Sequence, residues 1–251
     1  MNSEIVFEKW QACGNDFILT EINSIDEVKI CDRHYGIGAD GVIYILPSEI
    51  ADSKIRIINS DGTEAEMCGN GIRCVGRYLA KKLKKNSLTV ETLAGIKSLI
   101  VSENKVRVEM GFAVIKWQRE IKLAEKNYNA IHVDIGNPHC ILFVNSVKAG
   151  EVEQNGKLIE NMSNLFPNKT NVEFVTIESR NKVRVRVWER GCGRTLACGT
   201  GACSSAFAAY KQGLTDSNVE VELDGGTVQI EITDSGIIMT GPAEYVYSGV
   251  I

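Results

Sequence analysis

The sequence predicts an α+β protein of two pseudo-symmetric domains, each made of several strands wrapped about a central α-helix. Three observations carry this. One small device occurs twice, as AEMCGNGIRCVGRYL (65–79) and TLACGTGACSSAFAAY (195–210). Around it the chain repeats itself at a constant offset. The flanking segments alternate apolar and polar residues, the period of a strand with one face buried.

Cys68 falls on Cys198, an offset of 130 residues, and the offset holds without insertion from 54 to 113. KIRIIN (54–59) meets RVRVWE (184–189), with Arg56 on Arg186. ETLAG (91–95) meets VELDG (221–225), and MGFA (110–113) meets TGPA (240–243). Two copies of one module account for this. In each copy an alternating strand leads to a polar, Gly-containing loop, and Cys-Gly-x-Gly then opens a helix. In the first copy Ile72, Val75, Leu79 and Leu83 share one helical face. In the second, ACSSAFAAY is small and apolar all round, which suits a helix buried on most sides. Asn86 and Gly213 are the expected C-terminal caps. Alternating strands such as KVRVEM (105–110) and TVQIEIT (227–233) follow each helix. Arg56 and Arg186 alternate with apolar residues and are expected to face solvent.

Composition bounds the function. The chain has 251 residues, 44% hydrophobic and 24% charged, with a net charge of −4. That is ordinary for a globular protein and argues against non-specific nucleic-acid binding, which needs a basic face. Lys81, Lys82, Lys84 and Lys85 read as a solvated helix end, where cations suit the dipole. No apolar run approaches the ~18–20 residues of a membrane span. The opening MNSEIVFEKW lacks the apolar core of a signal peptide, so a cytoplasmic location is expected. The eight cysteines (Cys13, Cys31, Cys68, Cys74, Cys140, Cys192, Cys198 and Cys203) are then expected as reduced thiols. Their spacings, C-x5-C and C-x4-C, contain no C-x2-C knuckle, so no metal site is expected. No cofactor motif is visible either.

A helix N-terminus leaves amide N–H groups unpaired and carries partial positive charge, so it holds carboxylates. A cysteine placed there is expected to have its thiolate stabilised and its pKa lowered. A single copy of the device reads equally as a Gly-rich turn with a buried cysteine. Two copies facing one cleft would put a thiol on either side of one α-carbon, with amides to hold its carboxylate. One thiolate would take the α-proton while the opposite thiol gives one back. That is what inverting an amino-acid centre requires.

The chain resembles the diaminopimelate epimerases, pyridoxal-phosphate-independent amino-acid racemases. The likeness runs nearly end to end, through GNDF (14–17), RHYGIGADG (33–41), NSDGTEAEMCGNGIRC (59–74), GNPHC (136–140), TNVEFV (170–175), ERGCGRTLACGTGAC (189–203) and GPA (241–243). It implies two domains, 1–113 plus 244–251 and 114–243, each a curved, barrel-like sheet around its helix, with the active site in the cleft between them. It implies interconversion of LL- and meso-diaminopimelate without a cofactor, on the route to lysine and peptidoglycan, by a homodimer. Carried over residue by residue, Cys68 and Cys198 are the catalytic pair, Cys68 taking the proton on the LL side and Cys198 on the D side. Gly69, Asn70, Gly199 and Thr200 offer amides to the reacting carboxylate. His139 and Glu189 hold the reacting amino group and tune the thiols. Asn15 and Asn137 line the site, and Asn59, Asn171 and Arg190 grip the distal centre.

Residue chemistry agrees at the distal end. A second carboxylate and ammonium suit an arginine fork and side chains that both donate and accept. Other readings stay open at this stage: a structural role for His139, a surface ion pair of Glu189 with Arg190, another amino acid as substrate, or a thiol protein binding metal or responding to redox state. His34 reads as a loop support and His132 as part of a strand. The chain departs from the family at Gly41, where some members carry glutamine, and at Arg194, where an acid is more usual.

Overall fold

The computed structural model describes residues 4–22, 25–123, 126–146 and 148–251. The first three residues of the N-terminal segment read above lie outside that set. Two compact units emerge: the chain up to Glu109 together with Gly241–Ile251, and Met110–Thr240.

Unit 1 contains β1 (Val6–Ala12), β2 (Asn15–Thr20), α1 (Glu27–Cys31), β3 (Gly41–Leu46), β4 (Ser53–Asn59), the short β5 (Glu64–Ala65), α2 (Gly69–Leu83), β6 (Ser87–Thr92), β7 (Gly95–Ser102) and β8 (Lys105–Gly111). Unit 2 contains β9 (Val114–Leu123), β10 (Lys126–Asp134), β11 (Pro138–Phe143), α3 (Ala149–Glu160), β12 (Asn171–Ser179), β13 (Lys182–Glu189), β14 (Gly193–Thr195), α4 (Gly199–Lys211), β15 (Asn218–Leu223), β16 (Gly226–Thr233) and β17 (Gly236–Pro242). The last strand, β18 (Glu244–Val250), returns to unit 1 and pairs antiparallel with β1.

Each unit repeats one strand order. In unit 1 it is β18-β1-β2-β3-β4-β6-β7-β8, with β5 added on β4. In unit 2 it is β9-β10-β11-β12-β13-β15-β16-β17, with β14 added on β13. Two neighbour pairs in each unit are parallel. Parallel strands need a crossover rather than a tight turn, and the crossovers contain α1 and α2 in unit 1, α3 and α4 in unit 2. Even the irregularities correspond: the register shifts at Lys9/Trp10 on β1 and at His132/Val133 on β10.

The sheet of unit 1 packs around α2 through β1, β2, β6 and β7, and that of unit 2 around α4 through β10–β13, β15 and β16. On α2, Ile72, Val75 and Leu79 are buried as their spacing predicts, each worth about 1.5–3 kcal/mol of apolar burial. Leu83 departs from the prediction and is 43% exposed, because it lies on the last turn beyond the sheet. Helix α4 is buried from Gly201 to Ala209, as its small, apolar sequence requires. Gly213 follows the α4 cap with φ +70°, the left-handed stop predicted for it. Asn86 does not play that part for α2: Lys84 takes the left-handed position instead, at φ 53°. The basic run at this helix end is tied to acids, Lys81 to Glu8 at 3.8 Å, Lys85 to Asp52 at 2.6 Å, and Lys82 to Glu21. Among the described residues, no helix is long and apolar enough to cross a membrane.

Candidate active site

In unit 1, Cys68 is the N-cap of α2. Its backbone is extended and its sulfur accepts the Gly71 amide at 3.4 Å. The thiol lies 3.7 Å from Asn15 Oδ1, which also accepts from Asn70 Nδ2 at 3.3 Å. Asp40 sets the orientation of Asn15 by accepting its Nδ2 at 2.8 Å, and Arg33 ties Asp40 to Asp16. Arg73, fully buried, fixes Asn70 from behind: it donates to Asn70 Oδ1 and to Gly69 O, each at 3.0 Å. Cys68, Gly69, Asn70 and Asn15 are thus gathered in one hydrogen-bonded group. Asn59 lies outside that group. It ends β4 opposite Gly41 at the same end of the sheet, and its Nδ2 donates to Thr63 Oγ1 at 3.0 Å.

Unit 2 builds the same frame. Cys198 is the N-cap of α4, 5% exposed, with its sulfur 3.5 Å from Thr200 Oγ1. Asn137 Nδ2 donates to that hydroxyl at 3.3 Å. The pair Asn137–Thr200 therefore stands where Asn15–Asn70 stands in unit 1. Gly199 is buried at the first position of the helix. Glu189 ends β13 and accepts from the Thr195 hydroxyl and the Cys198 thiol. His139 is fully buried, with Nδ1 2.7 Å from Glu173 Oε1 and Nε2 3.1 Å from Asn137 Oδ1. Asn171 opens β12 beside His139. Its Nδ2 donates to Pro138 O and its Oδ1 accepts the Arg190 amide, both at 3.0 Å. The Arg190 side chain is exposed, with Nη1 3.4 Å from Asn168 O. Glu189 and Arg190 thus turn to different partners.

A family model described as diaminopimelate epimerase matches residues 8–116 and 131–246. The chain belongs to the diaminopimelate epimerase family. Curated relatives carry that name at high coverage. One from Elusimicrobium minutum is 45% identical, over 97% of this chain and 98% of the relative. One from Carboxydothermus hydrogenoformans is 47% identical, again over 97% and 98%. One from Methanococcus maripaludis is 43% identical, over 98% and 99%. Among solved structures, a hydroxyproline epimerase from Agrobacterium vitis superposes with a TM-score of 0.78 at 13% identity, covering 100% of this chain and 93% of that one. A probable proline racemase from Agrobacterium radiobacter gives 0.78 at 15%, covering 98% and 92%. At such identity these two share the fold: the α+β arrangement of curved sheets around helices predicted from the sequence.

The electrostatics of this family member correct one sequence expectation. The cap position was expected to lower the Cys198 thiol. The structure raises it well above the usual thiol range, because burial strips its water and the Glu189 and Glu173 carboxylates repel a thiolate; Thr200 and the Gly201 amide pull the other way. Magnitudes explain the outcome. A helix dipole supplies at most ~2 kcal/mol, about one and a half pKa units. Full burial moves a group by up to ~3–5 units. Cys198 is therefore held as a thiol in this state. Burial also raises Glu189, against the hydrogen bonds from Thr195 and Cys198.

Arg194 turns away from Cys198, to Asp224 at 3.0 Å and Glu153 at 3.8 Å. At Gly41 an added Cβ would meet Ile58 O at 2.6 Å, so glutamine would not fit this backbone without a shift. His34 is exposed in its loop, and His132 packs between Trp117 and Phe166, with ring centroids 5.2 Å from each. Arg56 and Arg186 reach Glu64 and Asp224. The described cysteines are free thiols, and no group of three or more His, Cys, Asp or Glu among the described residues is placed to hold a metal ion. Three residues of the site escape the sequence reading: Asp40, Arg73 and Glu173. Glu173 carries the clearest signal, an acid inside the otherwise apolar run VEFV.

Proposed function

We propose that this protein interconverts LL- and meso-2,6-diaminopimelate by a cofactor-independent two-base mechanism. The observation that supports it is the doubled frame: a cysteine at a helix N-cap in a hydrogen-bonded group anchored by an asparagine, Asn15 in one unit and Asn137 in the other. In the proposal both half-sites act on one α-carbon from opposite faces. Cys68 takes the α-proton of the LL isomer, and Cys198, protonated as found, delivers its proton to the other face. The reverse reaction exchanges the roles.

The α-carboxylate is held by first-turn amides of Gly69, Asn70, Gly199 and Thr200, where the positive helix ends stabilise the charge building up as the proton leaves. His139 lies behind the site with its ring nitrogens turned to Glu173 and Asn137, and Glu189 takes the α-ammonium. That cation also offsets the Glu189 charge beside Cys198, making ionisation of the thiol easier once substrate is bound. Asn15 and Asn137 orient the two caps. Asn59, Asn171 and the exposed fork of Arg190 hold the distal carboxylate and ammonium. The reading extends to a cytoplasmic homodimer whose product serves lysine and peptidoglycan-precursor synthesis.

Purified, reduced protein incubated with LL-diaminopimelate and no added cofactor should yield the meso isomer by chiral chromatography. Folded protein that leaves LL-diaminopimelate unchanged while racemising another amino acid would move the substrate elsewhere.

A further inference from the structure

The shared frame allows the two half-sites to be compared position by position. Across β2 and β3, Phe17 faces Gly41 and Leu19 faces Ile43; across β11 and β12, His139 faces Asn171 and Ile141 faces Glu173. On the next strand Ile43 faces Ile57 and Glu173 faces Val187. The first turn of each helix rests on this layer. A Cβ at Gly71 would lie 2.8 Å from Ile43 Cδ1 and 3.5 Å from Phe17 Cζ, and a Cβ at Gly201 would lie 2.6 Å from Glu173 Oε1. His139 and Glu173 therefore occupy the places of Phe17 and Ile43. All four are buried, the least so 3% exposed.

Stability does not explain the charged version. Removing two charges from water is costly, and apolar residues of similar volume commonly do as well. The chain holds that apolar solution in its own other half. Moreover, Glu173 Oε2 has no hydrogen-bond partner among the described residues. The hydrogen bonds supply a reason instead. Glu173 Oε1 faces Nδ1 of His139, Nε2 faces Asn137 Oδ1, Asn137 Nδ2 donates to Thr200 Oγ1, and that hydroxyl lies 3.5 Å from the Cys198 sulfur. Both ring nitrogens meet acceptors, the arrangement of an imidazolium. Thr200 accepts from Asn137, which leaves its own proton for the sulfur.

We propose that Glu173 is a positioning residue for proton transfer at Cys198: by holding His139 as an imidazolium it sets the direction of a donor chain that ends on the sulfur. The chain lowers the cost of the thiolate when Cys198 acts as base and relaxes when Cys198 is an acid. The inference rests on the reading of Cys198 as a proton-transferring thiol.

Nitrogen-15 NMR of histidine-labelled protein, without substrate, tests it first, since the chain has only three histidines. His139 should carry protons on both nitrogens at neutral pH, and in Glu173→Gln it should become neutral. With diaminopimelate, Glu173→Gln should lose about tenfold or more in kcat, within the range of a displaced acid–base group, with KM nearly unchanged. A neutral His139 in the parent, or parental kcat in the variant, would overturn the proposal. The double variant His139→Phe/Glu173→Ile copies unit 1 and should fold with a melting temperature no lower than the parent. A large drop in melting temperature would make the pair structural and also overturn it. Cys198→Ala run alongside separates the two levels: its full activity would defeat the functional reading, whereas an inactive Cys198→Ala beside a fully active Glu173→Gln would defeat only the positioning role.

Discussion

Cys68 and Cys198 cap helices in one frame, yet their surroundings differ in sign. Cys68 is half-buried and meets the amides of Gly71 and Asn15, with the Arg73 guanidinium two hydrogen bonds behind. Cys198 is almost fully buried, against the Glu189 carboxylate and over a layer holding Glu173 and His139. The counterpart of Glu189 in unit 1 is Asn59, and the counterparts of His139 and Glu173 are Phe17 and Ile43. The repeat thus duplicates geometry without duplicating charge. Geometry places a thiol at a helix N-cap; the neighbours set how readily it ionises. A reaction that removes a proton on one face and supplies one on the other needs one thiolate and one thiol at a time, and unlike surroundings bias which cysteine holds the proton.

The comparison breaks most sharply if either thiol is dispensable. Cys68→Ala and Cys198→Ala should each lower turnover by about 10³-fold or more, measured by conversion of LL- to meso-diaminopimelate. Retained activity in either would leave one half-site without its role. A smaller effect is expected at Glu189→Gln. Activity should follow a bell-shaped pH profile, since one thiol must be ionised and its partner protonated. Its alkaline limb marks loss of the last thiol proton, and the raised Cys198 pKa places that limb above the ordinary thiol range. Removing the carboxylate removes a charge that raises the thiol, so the limb of kcat/KM against pH should move downward.

Gly201→Ala and Gly71→Ala sharpen the contrast. Each overpacks its layer, at a cost of about 1–3 kcal/mol in thermal unfolding. Only Gly201→Ala pushes on Glu173, so it should also reduce kcat more than its partner does.

The smallest effect concerns Asp16 of unit 1. Burial raises this carboxyl, but hydrogen bonds from Arg33 and Lys9 outweigh it and hold the pKa at about 2. A depressed acid stabilises the fold above its unfolded value and loses that contribution as pH falls through the folded value. Stability should therefore decline between about pH 4 and 2, and Asp16→Asn should flatten that decline in denaturant titrations.

The repeat was legible where the chain keeps one offset, from β4 to β8. Upstream it was not. The crossover containing α3 is longer than that containing α1: Phe17 and Gly41 are paired across 24 residues, His139 and Asn171 across 32. The offset therefore changes from 130 to 122, and the correspondence of Asn15 with Asn137 appears only in three dimensions. Cys68 and Cys198 were legible because a helix cap is a local pattern. The protonation of Cys198 was not, because its burial and the approach of Glu173 from β12 come from tertiary packing and not from the local pattern. Lys84 displaced Asn86 as the helix stop for a related reason: the segment to β6 is short, and the chain turns early to reach it.

The central claim is that two half-sites, alike in frame and unlike in charge, serve one carbon. Proton NMR and mass spectrometry of LL-diaminopimelate turned over in D2O test it directly, at low conversion. The account predicts meso product carrying deuterium at the inverted centre and recovered LL substrate with its α-protons intact, because one thiol takes the proton and the other supplies the deuteron. Deuterium entering the LL pool as fast as the product would mean that a single base serves both faces, and would contradict it.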